Sequence, residues 1–254
     1  MTMPGEARRL AIVDLLKEAG SVKVAEVEAR FGVSSMTVRR DLALLEREGV
    51  ARRTHGGAVL DAAASRGQEE PFTRRLKHAT EAKLALAADA VSQIAPGETV
   101  FLDASSTSYF VARRILAADV PVTLLTNSVP IMALVAEQGE GHVELIGIGG
   151  TLQRVTRCYV GPYAVRCVTG LYADRLFLSC RGVTTEGVIT DPGPLEAEVK
   201  RAMIHQARVS TLLIDRSKLS VRGLSPIATL AEVDAVVAHG IPQDELARLG
   251  APTA

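Results

Sequence analysis

Two sets of side chains stand out by type and spacing. The first runs Ser34, Ser35, Met36, Thr37, Arg39, Arg40 and is followed by Arg52, Arg53 and His55. Arginine can bridge guanine O6 and N7 or pair with phosphate, and serine and threonine hydroxyls can donate to phosphate oxygens. The second set is Asp103, Ser105, Ser106, Thr107 and Ser108, then Thr126, Asn127 and Ser128, then Gly149 and Gly150. Hydroxyls and free amides at the start of a helix suit a phosphate group. Arg154, Arg181, Lys200, Asp215 and Lys218 add charge to the same stretch.

Composition restricts what these sets can do. The chain has 254 residues, a formal net charge of zero and 47% hydrophobic residues. That length accommodates two domains or one large α/β domain. Bulk charge gives no affinity for polyanions, so nucleic-acid binding must come from a local cluster. Arg39, Arg40, Arg52 and Arg53 form one, interrupted by Asp41, Glu46 and Glu48. The three cysteines, Cys158, Cys167 and Cys180, match no common zinc spacing and read as free thiols of a reducing compartment. No apolar run approaches the ~20 residues of a membrane span. The N-terminus runs into an amphipathic helix rather than a signal-peptide core. A soluble, cytoplasmic protein without cofactor or metal is expected.

The elements that position the first set follow from periodicity. Leu10, Val13 and Leu16 predict one helix, ended by Ala19-Gly20. Val22 is extended, and Val24, Val27 and Phe31 mark a second helix before a turn at Gly32. Ser34 is a good N-cap for a third helix running to about Glu48, with Gly49 as its stop. Val38, Leu42 and Leu45 face inward, leaving Ser35, Met36, Arg39 and Arg40 at the outer, N-terminal end, where a recognition helix meets the major groove. Asp41 is expected to orient arginines, because a carboxylate is repelled by phosphate. Residues 50–54 and 58–60 predict two strands joined at Gly56-Gly57, a wing carrying Arg52, Arg53 and His55. Solvated arginines on a small helical domain are the plainer alternative.

Residues 61–71 are small, polar and aperiodic, hence a linker. Phe72 opens a helical stretch to about Ile94, in which Leu76, Lys83, Leu84, Ala87, Ala88 and Val91 keep helical spacing. Beyond it strands and helices alternate. Strands are expected at 99–103, 122–126, 143–148, 176–179, 209–215 and 233–238, and helices at 109–116, 131–137 and 195–206. This alternation predicts a largely parallel sheet with helices on both faces, and ligands there bind beyond the carboxyl ends of the strands. The second set occupies those ends, with Ala104–Ser108 read as a loop. Small hydroxyl residues are common in such turns, and Arg154 and Arg181 suit ligand selection and surface ion pairs equally.

Val33-Ser34 through Leu42, together with Arg53-Thr54-His55-Gly56-Gly57-Ala58, resembles the winged helix-turn-helix of the DeoR family of bacterial sugar-catabolism repressors. Lys23-Val24 departs from the family, which usually has a polar cap there. The resemblance continues through Phe101–Thr107, Thr126-Asn127, Gly149-Gly150, Gly161, Asp174 with Phe177, Glu196–Arg201 and Asp215–Lys218, covering about Glu6 to Ala238. It implies a winged helix over residues 1–60, a linker and connecting helix over 61–97, and an α/β domain over 98–254 that resembles ribose-5-phosphate isomerase in fold. It also implies a transcriptional regulator, a repressor whose affinity for double-stranded operator DNA is set by a phosphorylated sugar, acting as a homodimer or homotetramer. The alternative is a sugar-phosphate isomerase with an accessory winged helix, for which Glu196, Glu198 and Asp103 are the available carboxylates. Lysine at 200, near where the isomerases carry their base, argues against it. A winged helix that contacts protein is a third alternative, opposed by the four arginines.

Overall fold

The computed structural model describes residues 4–47, 50–60, 69–139 and 141–252. The chain divides into two compact units, Met1–Gln68 and Glu69–Ala254. The expected helix stop at Gly49 and most of the expected linker, residues 61–68, lie outside the described residues.

The first unit contains α1 (Gly5–Ala19), β1 (Ser21–Lys23), α2 (Val24–Phe31), α3 (Ser35–Arg47), β2 (Ala51–Thr54) and β3 (Gly57–Leu60). Gly20 and Gly32 end α1 and α2 with φ of 71° and 62°, a conformation that costs glycine little. Ile12, Val13 and Leu16 of α1, Val27 of α2, and Val38, Leu42 and Leu45 of α3 close one core with Val22, Ala51 and Ala58. Leu10 is about half exposed, so Ile12 takes the inward position that spacing assigned to it. The missing polar side chain at the start of α2 is offset by Glu26, whose carboxylate accepts from the Lys23 N–H at 3.1 Å.

The wing differs from expectation by one residue. Thr54 pairs with Gly57, so the turn is His55-Gly56 rather than Gly56-Gly57. Gly57 instead belongs to β3, which lies between β1 and β2 in a three-stranded antiparallel sheet. A Cβ at Gly57 would stand 1.9 Å from the Val22 carbonyl oxygen, so the close approach of β1 requires glycine there.

The second unit begins with α4 (Phe72–Arg75) and α5 (Thr80–Val91). The single long helix expected over this stretch is broken, and Ala79 has a φ of 49° at the break. Lys83 of α5 is buried and donates to the carbonyls of Arg75 and His78, satisfying the loose end of α4. Then follow β4 (Thr99–Leu102), α6 (Ser106–Ala118), β5 (Val122–Thr126), α7 (Val129–Gln138), β6 (Val143–Gly147), β7 (Thr151–Gln153), β8 (Cys158–Val160), α8 (Pro162–Thr169) and β9 (Ala173–Leu178). After them come β10 (Gly182–Val183), β11 (Val188–Asp191), α9 (Pro194–Gln206), β12 (Ala207–Asp215), β13 (Ser225–Thr229), β14 (Ala235–His239) and α10 (Gln243–Arg248). Ser106, Thr107 and Ser108 are thus the first turn of α6, not part of a loop.

Six strands form one sheet in the order β14-β12-β9-β4-β5-β6, with every neighbour pair parallel. Alternate residues feed separate cores on its two faces. Phe101, Leu125, Leu176, Leu178, Leu212 and Ile214 point to one, with Val199 and Met203 of α9. Val100, Leu102, Leu124, Phe177 and Leu213 point to the other, with Leu86 of α5 and Val111 and Ile115 of α6. Helices therefore cover both faces, as a parallel sheet requires. Chain order reverses between β4 and β9, which makes that seam the topological switch point. A small antiparallel sheet, β10-β11-β13, and a hairpin, β7-β8, flank the sheet's carboxyl-end rim. Among the described residues no helix is long and apolar enough to cross a membrane.

Candidate functional site

On the first unit, Ser34 stands just ahead of α3. Its Oγ accepts from the Thr37 N–H at 3.4 Å and lies 3.1 Å from the Thr37 hydroxyl. Val38, Leu42 and Leu45 anchor the helix inward, and Ser35, Met36, Arg39 and Arg40 are exposed, Met36 by 75%. Asp41 is buried, with an oxygen 2.7 Å from Arg8 Nε and the other 3.7 Å from an Arg9 nitrogen. It orients arginines of α1, not those of α3, and so ties the two helices together. On the wing, Arg52, Arg53 and His55 are exposed, and the Arg53 N–H donates to Glu46 at 2.9 Å. Among the described residues none of the side chains of Arg39, Arg40, Arg52 or Arg53 has an ion-pair partner. Free cations beside an exposed helix start are what a duplex backbone and base edges need.

On the second unit, the carboxyl ends of β4, β5, β6, β9, β12 and β14 share one rim. Asp103 follows β4 and is almost wholly buried. One of its oxygens accepts from the Ser105 N–H at 3.1 Å and the Ser108 hydroxyl at 2.5 Å. The other accepts from the Ser179 N–H, across the switch point, at 3.2 Å. Ser105 caps α6 by accepting from the Ser108 N–H at 3.0 Å. The next βα turn repeats the design. Thr126 Oγ1 accepts from the Ser128 N–H at 3.1 Å, and Ser128 caps α7 by accepting from the Ile131 N–H at 3.4 Å. Two helix N-termini therefore face one rim, each held by its own hydroxyls.

Lys200 projects from α9 into the same place. Its Nζ lies 3.0 Å from Asp103, 2.5 Å from Asp191 and 2.7 Å from the Ser179 carbonyl oxygen. Burial alone would lower its pKa, but Asp191, Asp103 and Glu196 push it well above the ordinary lysine value. Burial raises Asp103, yet the Lys200 charge and the Ser105 and Ser108 bonds outweigh it and hold the carboxyl below its usual range. Asp191 goes the other way: burial lifts it, and the Glu196 and Asp103 charges add to that.

The remaining named residues are scattered around the rim. Gly149 and Gly150 are exposed beyond β6, and a Cβ at Gly150 would come within 2.7 Å of the Val160 carbonyl oxygen. Arg154 is exposed in the β7-β8 turn. Arg181 is half-buried, and its N–H donates to Asp191 at 2.9 Å. Asp215 ends β12 and accepts from the Ser217 N–H at 2.8 Å, with half-buried Lys218 one residue further on. An open depression of about 410 Å³ lies at the opposite rim, against Tyr172, Asp174, His205 and Arg208, where no strand presents its carboxyl end.

Sequence reasoning missed Asp191, whose strand is only four residues long, and Ser179 as a partner of Asp103. Glu196 was weighed only as a catalytic base. Its spacing of four from Lys200 on one helix was a usable signal that the two share a face.

A family model described as the DeoR C terminal sensor domain matches residues 78–239, and one described as the DeoR-like helix-turn-helix domain matches residues 8–63. The L-fucose operon activator of Escherichia coli (strain K12) is 34% identical over 231 residues, covering 91% of this chain and 93% of that protein. The HTH-type transcriptional regulator GlpR of Haloferax volcanii is 35% identical over 238 residues, covering 94% and 91%. The HTH-type transcriptional repressor GlcR of Bacillus subtilis is 32% identical over 237 residues, covering 93% and 89%. Ribose 5-phosphate isomerase A from Methanocaldococcus jannaschii aligns with 55% of this chain and 54% of its own at 17% identity and a TM-score of 0.40. The relatives that match over nearly their whole length are regulators, and the isomerase alternative is set aside on that ground. The chain belongs to the DeoR family: it is a DNA-binding transcriptional regulator with a carboxyl-terminal sensor domain.

Proposed function

We propose that this regulator represses a carbohydrate-metabolism operon and releases its operator when a phosphorylated sugar occupies the rim of the α/β unit. The DNA-contacting set is Ser34, Ser35, Met36, Thr37, Arg39 and Arg40 of the α3 region with Arg52, Arg53 and His55 of the wing. The effector set is drawn from the β4 and β5 turns, with Gly149, Gly150, Arg154, Arg181, Lys200, Asp215 and Lys218 around them. The functional divisions are residues 1–60, 61–97 and 98–254. The protein acts in the cytoplasm as a homodimer or homotetramer, whose symmetry sets half-site spacing on the operator.

The observation that carries the effector reading is the pair of serine-capped helix N-termini, at Ser105 and Ser128, opening onto one rim beside the switch point. Such termini favour anions through oriented amides and the helix dipole. The relative named for the L-fucose operon supports a sugar-derived signal. Control requires only that the effector bind one conformation more tightly than the other, and ~1–3 kcal/mol of coupling gives a usable switch.

The test is operator-fragment binding, followed by anisotropy, across a panel of sugar phosphates. At least one compound is expected to weaken binding and to raise the unfolding midpoint. At a hundred times its dissociation constant it stabilises by ~2.7 kcal/mol. A panel that moves neither quantity overturns the effector reading, and tighter operator binding with the active compound overturns repression relieved by ligand.

A further inference from the structure

Apart from Asp191 Oδ2, which is paired with Lys200, three buried side-chain atoms near the rim have no hydrogen-bond partner among the described residues: Arg75 Nε, Asn127 Oδ1 and Glu196 Oε1. Asn127 is 3% and Glu196 6% exposed. Arg75 and Asn127 bond the residues on either side of Cys158, at Thr156 and Tyr159, and Glu196 lies with Glu69, itself bonded to the same hairpin, around Gly193. The Cys158 thiol is pushed up to about 12, first by burial and then by the Glu196 charge, against the Thr156 hydroxyl and the Arg75 and Lys200 charges. Asn127 holds the neighbouring residue, Tyr159, accepting its N–H at 2.9 Å through the backbone and donating Nδ2 to its carbonyl at 2.8 Å. That second bond fixes which end of the amide is left as acceptor.

Arg75 reaches this place because α4 is strapped over the β7-β8 hairpin. The Phe72 N–H donates to the Val155 carbonyl at 3.1 Å, and Glu69 accepts from Gln153 Nε2 at 2.8 Å. The Phe72 ring is buried with its edge on Tyr109, centroids 5.6 Å apart, and the Arg75 guanidinium lies 5.6 Å from the Phe72 ring centre. A single 3.4 Å bond to the Thr156 carbonyl engages one terminal nitrogen and leaves Nε free.

The chemistry of the three is complementary to one kind of molecule. Lys200 is already held by Asp103 and Asp191, so its charge is spent within the protein. Arg75 is the cation with an open buried donor, and guanidinium N–H groups suit phosphate oxygens. A carboxylate and an amide oxygen accept only from donors, such as hydroxyls. We propose that Arg75 binds the anionic group of the effector while Glu196 and Asn127 read its hydroxyls, so that part of the recognition is done by the segment directly following the linker. The assignment rests on the sugar-phosphate reading above, adds Arg75, which the sequence did not point to, and gives Glu196 a binding role in place of a catalytic one.

The full chain is titrated with ribose 5-phosphate, glucose 6-phosphate, fructose 1-phosphate, glycerol 3-phosphate and inorganic phosphate, with unfolding midpoint and affinity as readouts. For whichever phosphorylated sugar binds wild type, Arg75→Gln weakens affinity at least tenfold and Arg75→Lys recovers part of it. Glu196→Gln and Asn127→Ala reduce the preference for that sugar phosphate over inorganic phosphate at least fivefold. Arg75→Gln binding within twofold of wild type overturns the assignment, as does an unchanged preference in the other two variants if Arg75→Gln does not fold. If no phosphorylated sugar binds wild type, this inference and the reading beneath it fall together. If one binds wild type and all variants alike, only this inference falls.

Discussion

Arg39, Arg40, Arg52 and Arg53 stand exposed on the winged helix without an ion-pair partner among the described residues, whereas Lys200 of the α/β unit is buried between two carboxylates. The same charge serves opposite ends. A duplex is large and brings its own counter-charge, so the residues proposed to grip it can stand open to solvent. The effector proposed for the rim is small, and most polar groups there already hold each other. Free valence, more than charge, is what singles out Arg75, Asn127 and Glu196 as proposed effector contacts against the better-connected Asp103 and Lys200.

Removing Lys200 is the strongest way to test that contrast. Lys200→Met leaves Asp103 and Asp191 buried without their cation, and breaking a buried pair costs ~3–5 kcal/mol. Urea denaturation of the α/β unit should report a loss of this size; a change under 1 kcal/mol would make Lys200 a dispensable surface-like charge. On the other unit, Gly57→Ala forces a methyl into the Val22 carbonyl and should cost about 1–3 kcal/mol by overpacking. Its operator binding at elevated temperature should fail before that of wild type, while effector stabilisation persists. Equal thermal limits would mean that the sheet absorbs the methyl.

Arg40→Ala should weaken operator binding about tenfold, ~1.4 kcal/mol, without altering the unfolding midpoint. If Arg40 neutralises one phosphate, the slope of log affinity against log salt falls by ~0.9. An unchanged slope with lost sequence preference would reassign it to a base edge. A further expected effect is on pH. Burial, followed by the Lys218 charge, lowers Lys83 to about 8, against an ordinary value of 10.5. Between those values the unfolded chain holds a proton that the folded chain has released, so stability rises with pH across that window. Urea midpoints at pH 7.5 and 9.5 should show the rise, and Lys83→Met should abolish it. A fall that depends on Lys83 would mean its bonds to Arg75 and His78 dominate over burial.

Much of this architecture was legible because burial on two faces writes apolar runs that the eye can find. The strand expected over 122–126 is the observed β5, and Ser34 is at the start of α3 where capping logic put it. The hairpin β7-β8 and the sheet β10-β11-β13 were not legible. Their strands have two to five residues and lie outside the parallel sheet, so no strand–helix alternation marks them. Asp191 was lost with β11, and with it the reason that Lys200 is held inside. The helical spacing from Leu76 to Val91 hides the break at Ala79, because the break lies in backbone conformation and not in the apolar pattern. Without the break, α4 and Arg75 cannot be placed.

Asp103 grips both sides of the β4–β9 seam, through Ser105 and Ser108 on one and Ser179 on the other. The middle of the sheet is thereby stitched at its mouth as well as along its length. We expect a message from the rim to leave those two strands in register. The β7-β8 hairpin and the strap of α4 are joined to that mouth by individual bonds rather than a ladder, and they are where we expect a bound effector to be felt.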